Sequence, residues 1–216
     1  EILAKTENAA RRIQDETAGR SGEMTLACTD GARSEHITRQ LRKFRRKSRG
    51  LRLIVRRVDY GSVTVPESAD AFITDFPVNE LPTTAVVLER AALQVAVPPK
   101  HRLAEREDFA PADLIGETII TSPFDLRSPA ERILLARLEA AGIAHDLELG
   151  SAHLQERFWQ VSLGLGVCFC TSADRGTLDS RRISLAGAAQ EAVIALIPNP
   201  NSRAAALPAL VDAIRA

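Results

Sequence analysis

Residues able to serve as nucleophiles, general acids or metal ligands are few in this chain, and their spacing does not build a catalytic centre. The four histidines, His36, His101, His145 and His153, share no metal-binding spacing with one another or with Cys28. Surface and cap positions account for them. Of the three cysteines, Cys168 and Cys170 stand two apart in an apolar run, so they point to one face of a strand and fill a core. A redox sensor needs an exposed thiol of low pKa, which such a strand suits poorly. An odd, sparse set of cysteines in strand-like segments also argues against a disulfide framework and for a reducing compartment, the cytoplasm. There is no G-x-S-x-G elbow, no Walker loop, no G-x-G-x-x-G and no H-E-x-x-H. The sequence therefore predicts no catalytic residue, no metal site and no cofactor.

Composition narrows the class further. The 216 residues are 45% hydrophobic and 26% charged, as in an ordinary globular protein. The most apolar stretch, Ala85 to Val97, is broken by Glu89, Arg90 and Gln94, far short of the roughly 20 apolar residues that span a bilayer. No membrane partner is expected. The chain begins at Glu1 within a helical pattern, without Met or a signal-like apolar region, and reads as a fragment. Net charge is zero, but residues 1–60 hold 15 Lys and Arg against 8 Asp and Glu, which leaves the remainder at −7. The basic residues concentrate in Arg39 to Arg57 (RQLRKFRRKSRGLRLIVRR). Such a cluster can release counterions from a nucleic acid, or it can be the solvated side of an amphipathic helix. Ile37, Leu41 and Phe44 recur at i, i+4 and i+7, and no aromatic residues interleave, which favours the solvated helix.

Residues 2–17 carry a narrow apolar seam closed by Gly19, like the end of a linker helix. After it, strands and helices alternate. Strand signals fall at Met24 to Cys28, Leu51 to Val55, Ala71 to Ile73, Ala91 to Val97, Thr118 to Thr121, Asp146 to Leu149, Val167 to Cys170 and Ala192 to Ile197. Ser34 caps a helix bearing Ile37 and Leu41, and Ser128 caps a second with Ile133, Leu134 and Leu138 on its apolar side. Further helices are predicted from His153 to Leu163 and from about Ala204. The alternation predicts α/β architecture with a mainly parallel sheet, and its restart after Pro98-Pro99 suggests two lobes.

In order and spacing, these elements resemble the effector-binding region of LysR-type transcriptional regulators over essentially the whole chain. The resemblance rests on Gly22 to Thr29 (GEMTLACT) after a linker helix, Asp70-Ala-Phe-Ile73, Val97 to Ala104 (VPPKHRLA) ahead of Asp113-Leu114, and Gly164-Leu-Gly-Val167. It departs from the family pattern in a shortened, Pro66-containing segment between Ser62 and Asp70, in Arg102, and in Thr171, the last two standing where Pro is common. It implies two Rossmann-like lobes joined by two crossover strands and preceded by the linker helix. The implied boundaries are 1–20 for the linker end, 21–98 with 194–216 for the first lobe, and 99–193 for the second. It also implies a homodimer, a tetramer in the full-length protein, and DNA binding only through a winged helix ahead of residue 1. The alternative of the same fold is a solute-binding protein serving a transporter.

In such folds ligands sit outside the carboxyl ends of strands, near helix N-termini. Thr29 and Asp30 follow the first strand, Thr121 and Ser122 end the Thr118 strand, Ser151 follows Leu149, Thr74 ends the Asp70 strand, and Ser62 lies in the preceding turn. These seven are the expected effector-binding residues, although each Ser or Thr singly could be a plain cap. They suit a small polar effector, a carboxylate or, because Asp30 would repel an unpaired anion, an amine-bearing molecule. The expected dimer contact pairs Ile37, Leu41 and Phe44 of one subunit with Phe158 or Trp159 of the other.

Overall fold

The stretch that follows Ser21 folds as a strand covered on both faces, since Met24 to Cys28 are buried without a break and only Thr25 among them is polar. In the computed structural model, which describes residues 21–60, 64–175, 179–187 and 192–215, this is β1 (Ser21–Cys28). The expected linker helix over 1–20 and Ser62 lie outside the described residues. In chain order follow α1 (Glu35–Lys47), β2 (Gly50–Arg57), β3 (Ala71–Pro77), β4 (Val86–Ala91), β5 (Leu93–Val97), β6 (Asp108–Phe109), β7 (Thr118–Thr121) and α2 (Pro129–Ala140). Then come β8 (Asp146–Leu149), α3 (Leu154–Ser162), β9 (Cys168–Thr171), β10 (Arg181–Leu185), β11 (Ala192–Pro198) and α4 (Ala206–Arg215).

The first sheet has the order β2-β1-β3-β11-β4. In the second, β6-β10-β5-β9 is extended by the parallel pair β7-β8, because Ile119 of β7 bridges Val167 just before β9. The two sheets therefore repeat one plan: a parallel β-α-β core beside an antiparallel strand that arrives from the other lobe. β5 enters the second sheet from β4 through Ala92, and β11 returns to the first. Ala92 is pinned on both sides, its N–H to Ser172 Oγ at 3.0 Å and its carbonyl to Ser172 N–H at 2.9 Å.

This geometry corrects two sequence expectations. The single strand read from Ala91 to Val97 is the end of β4 and the whole of β5, in different sheets; burial alone carries no mark of the switch. The sheets are mixed rather than mainly parallel, since four of the eight strand pairings among the described residues are antiparallel. The returning crossover strands make them so.

Local chemistry sets the helix starts. Ser34 Oγ accepts the Ile37 N–H at 3.2 Å, and Arg45, Arg46 and Lys47 complement the dipole at the far end of α1. Residues 64–70 form a turn closed by the Ala69 N–H on the Pro66 carbonyl at 2.9 Å. Asp70 then ties three elements together, its Oδ2 accepting the Thr25 N–H at 2.7 Å and its Oδ1 the Ser202 hydroxyl at 2.6 Å. Arg102 and His101 both reach Glu117 Oε1, at 2.8 and 3.0 Å, which gives the residue standing in a common proline position a structural task. One core cluster runs through both lobes from Met24 and Ile73 to Leu134 and Phe169. Phe158, Cys168 and Cys170 pack together in a smaller cluster beneath the second sheet.

Candidate functional site

The chain leaves β1 at Thr29, whose side chain is fully buried and whose N–H donates to the Ile73 carbonyl at 3.1 Å. Its hydroxyl lies 3.1 Å from Thr74 Oγ1 and 3.4 Å from Asp75 Oδ1, both on β3. Tyr60 joins this group: its hydroxyl accepts the Gly31 N–H at 3.0 Å and hydrogen-bonds Asp75. The packing requires glycine at position 31, where a Cβ would stand 2.7 Å from the Tyr60 oxygen. Burial first, then the Asp75 charge, pushes the Tyr60 phenol far up. Asp30, next in the chain, is paired with Arg33 and, at 3.8 Å, with Arg57. Its Oδ2 also accepts the Leu154 N–H at 3.4 Å, so a carboxylate of the first lobe occupies the N-terminus of α3 in the second. Arg57 Nη1 lies 2.6 Å from Nδ1 of His153, the residue that precedes α3.

The second lobe is organised by a residue that the sequence reading did not select. Glu131, fully buried at the third position of α2, accepts the Ser122 N–H at 2.7 Å, the Ser122 hydroxyl at 3.0 Å, the Thr121 hydroxyl at 3.1 Å and the Ser128 N–H at 2.9 Å. Arg157 of α3, also buried, places Nη2 at 3.3 Å from Glu131 Oε2 and donates through Nη1 to Ser122 Oγ and to the Ser151 carbonyl at 2.8 Å. Ser151 Oγ accepts the His153 N–H at 3.1 Å. The Ser128-x-x-Glu131 capping box was the sequence signal for Glu131. Arg157 left none, because a cation on a helix ordinarily reads as a solvated face.

Between these two groups stands a pair of acids. Asp75 of β3 and Asp174, just after β9, are both buried, and Asp174 lies near enough for its charge to disfavour an ionised Asp75. Burial, followed by the Asp174 charge, pushes Asp75 up to about 7. Burial also raises Asp174, against the hydrogen bonds that Thr171 supplies to its Oδ2, from the N–H at 2.6 Å and from the hydroxyl at 3.0 Å. A proline at 171 would remove the first of these donors.

The structure thus gathers Thr29 and Thr74 into one network and Thr121, Ser122 and Ser151 into another, while Asp30 reaches from the first lobe to the start of α3 in the second. The amides of Thr29 and Ser122 themselves are bonded within the chain, to the Ile73 carbonyl and to Glu131. Ile37 and Phe44 are 3% and 2% exposed and Phe158 is fully buried, all inside the chain's own core. Leu41, half-buried, and Trp159, 56% exposed, are the members of that set open to another molecule. Burial pushes the Cys168 thiol up to about 12 and Cys170 well above the ordinary thiol range, as suits side chains that fill the core.

Two sheets of matching plan, two crossover strands and polar residues converging from both lobes define a two-lobed α/β ligand-binding domain of the periplasmic-binding-protein type. The LysR substrate binding domain model matches residues 17–216, and the chain belongs to that family. No curated protein sequence matches it. Among solved structures it is similar in fold to the effector binding domain of QuiR in complex with shikimate (16% identity, TM-score 0.73, covering 90% of this chain and 96% of that one). It is similar also to the regulatory domain of CcmR from Synechocystis PCC6803 in complex with 2-PG (14%, 0.73, 90% and 96%). A third is full-length CbnR complexed with its target DNA (14%, 0.76, 99% and 74%). The family is one of regulatory effector-binding domains, and a transporter's solute-binding protein is not favoured. No helix among the described residues is long and apolar enough to cross a membrane.

Proposed function

We propose that the chain is the sensing and dimerisation module of a cytoplasmic, non-enzymatic LysR-type regulator, in which a small effector bound between the lobes controls DNA binding by an N-terminal winged helix. One observation carries this reading: the ends of β1 and β3 and those of β7, β8 and β9 bring buried polar side chains from both lobes to one place. Thr29, Asp30 and Thr74 with Tyr60 and Asp75 form one wall. Asp174 and Ser151 form the other, and Thr121 and Ser122 are positioned through Glu131. Ser62 is assigned to the first wall from its place in the sequence. The lobe boundaries belong at the crossovers, at Ala92 and just before β11, so that residues 21–91 with 192–216 make the first lobe.

Beside the Asp30 contact with α3, exposed pairs also cross between the lobes, Arg132 to Glu80 at 3.0 Å and Arg175 to Glu35 at 3.8 Å, each worth little against water. An effector that touches both walls then shifts the balance between lobe arrangements by its differential affinity. On the outer side, Leu41, Leu53 and Val55 line an apolar groove of about 540 Å³ edged by Arg42, Arg45, Arg46 and Arg49. Trp159, Leu163 and Leu165 expose apolar surface around the end of α3. In a homodimer each groove receives the partner's α3, and the full-length protein is a tetramer of such subunits.

A thermal-shift screen over small polar metabolites tests the reading. A true effector at about 100 times its dissociation constant stabilises by roughly 2.7 kcal/mol, and that gain should shrink when Thr29 is replaced. A full panel without any shift contradicts it.

A further inference from the structure

We propose that the effector carries a positively charged hydrogen-bond donor, an ammonium or a guanidinium, seated between Asp75 of the first lobe and Asp174 of the second. The assignment rests on the effector-site reading above and names the ligand class of that site.

Among the described residues, the other buried or half-buried acids facing this region have cations: Asp30 has Arg33 and Arg57, and Glu131 has Arg157. Asp75 and Asp174 are 5% and 7% exposed, and neither forms an ion pair with a described residue. Arg157 and Arg182 both lie near enough to favour ionised Asp174, but Arg157 is paired with Glu131 and Arg182 donates to the Asp174 carbonyl oxygen. Two unpaired carboxylates close together in a dry place are unstable unless a cation or a proton joins them.

The hydrogen bonds around Asp174 point to the same ligand class. Asp174 Oδ2 is held by Thr171, but Oδ1, fully enclosed, has no donor among the described residues. The atom waits for a donor. The groups that would bind an anion are spent on internal acids, since Ser122, Thr121 and Ser128 serve Glu131 and the N-terminus of α3 serves Asp30. Arg157 keeps an unpartnered Nε, yet its charge is matched by Glu131. What the two walls offer a ligand is acceptors, one from each lobe. A cation between them draws the lobes together, whereas an anion drives them apart.

The experiment is calorimetric titration of the purified 216-residue chain at neutral pH with agmatine and putrescine as cationic probes and shikimate and benzoate as anionic ones. It is repeated on Asp75→Asn and Asp174→Asn, which keep side-chain shape and delete one charge each. The expected result is binding of at least one cationic probe, weakened tenfold or more in both variants, and no binding of the carboxylates. If Asp174→Asn does not fold, the Asp75→Asn comparison decides by itself. Binding of shikimate or benzoate that tightens in the variants overturns the cationic assignment and leaves the effector site standing. Cation binding that is equal in all three proteins places it elsewhere and also overturns the assignment. Binding of neither class to any of the proteins overturns the assignment together with the effector reading.

Discussion

Thr29 illustrates how far single residues could be understood from the sequence. Its position after an apolar strand marked it as a polar group at a carboxyl end, but its partners, 45 and 46 positions away, were beyond reach of any local pattern. Because its hydroxyl supports Asp75, Thr29→Val should cost about 1–2 kcal/mol of stability as well as weakening effector binding, as one lost buried partner does. Denaturant titration with and without effector reads both; unchanged stability would show that the hydroxyl supports nothing. Asp75 makes the sharper case. Its carboxyl holds a proton to about pH 7 in the folded chain but loses it near its ordinary value when unfolded. Between about pH 4 and 7 the folded state therefore binds more protons, and stability must fall as pH rises through that window and level off above it. Asp75→Asn abolishes this loss, so the variant should exceed wild type by on the order of 4 kcal/mol at pH 8 and differ little at pH 4, at about 1.4 kcal/mol per pKa unit. Equal stabilities at pH 8 would contradict the burial of an unpaired acid. A group that costs the empty protein this much stability at a cleft is of the kind kept for binding rather than for folding.

Among the elements, caps and apolar stripes were legible where the determinants are local. Ser34 and Ser128 start their helices as the sequence indicated, and Cys168 and Cys170 share a face. The switch between sheets at Ala92 was not legible, because β4 and β5 both end up beside buried neighbours and only the partner strand differs. The short β6 and β10 were missed for the same reason, since their pairing is with distant residues. The link that most firmly joins α2, α3 and the end of β7 is the Glu131–Arg157 pair, both side chains 1% exposed. Arg157→Leu should destabilise by about 3–5 kcal/mol, because it leaves Glu131 buried without its cation. Adding Glu131→Gln to that variant should recover part of the loss, as coupled neighbours do in a double-mutant cycle. Additive losses would mean that the pair is not the link described here.

For the whole molecule, the charge asymmetry and the exposed apolar surfaces predict assembly rather than nucleic-acid binding. Sedimentation should show a dimer at about 10–50 μM, the range in which an interface of standard size holds. Trp159→Ala should weaken it, and the emission of this single tryptophan should move to the red on dilution. A monomer throughout that range contradicts the assignment of α1 and α3 to the interface. Two-lobed architecture was readable from the restart of alternating strands and helices; which residues of opposite lobes meet was not, since that depends on how the crossovers set one sheet against the other. The central claim is that a ligand is gripped from both lobes at once. Amide chemical-shift mapping during titration with a bound effector tests it directly. The account predicts shifts at Thr29, Thr74 and Asp75 together with Ser122, Thr171 and Asp174, and none along the Leu41 to Arg49 face of α1. Shifts confined to one lobe, or centred on the α1 groove, would contradict it.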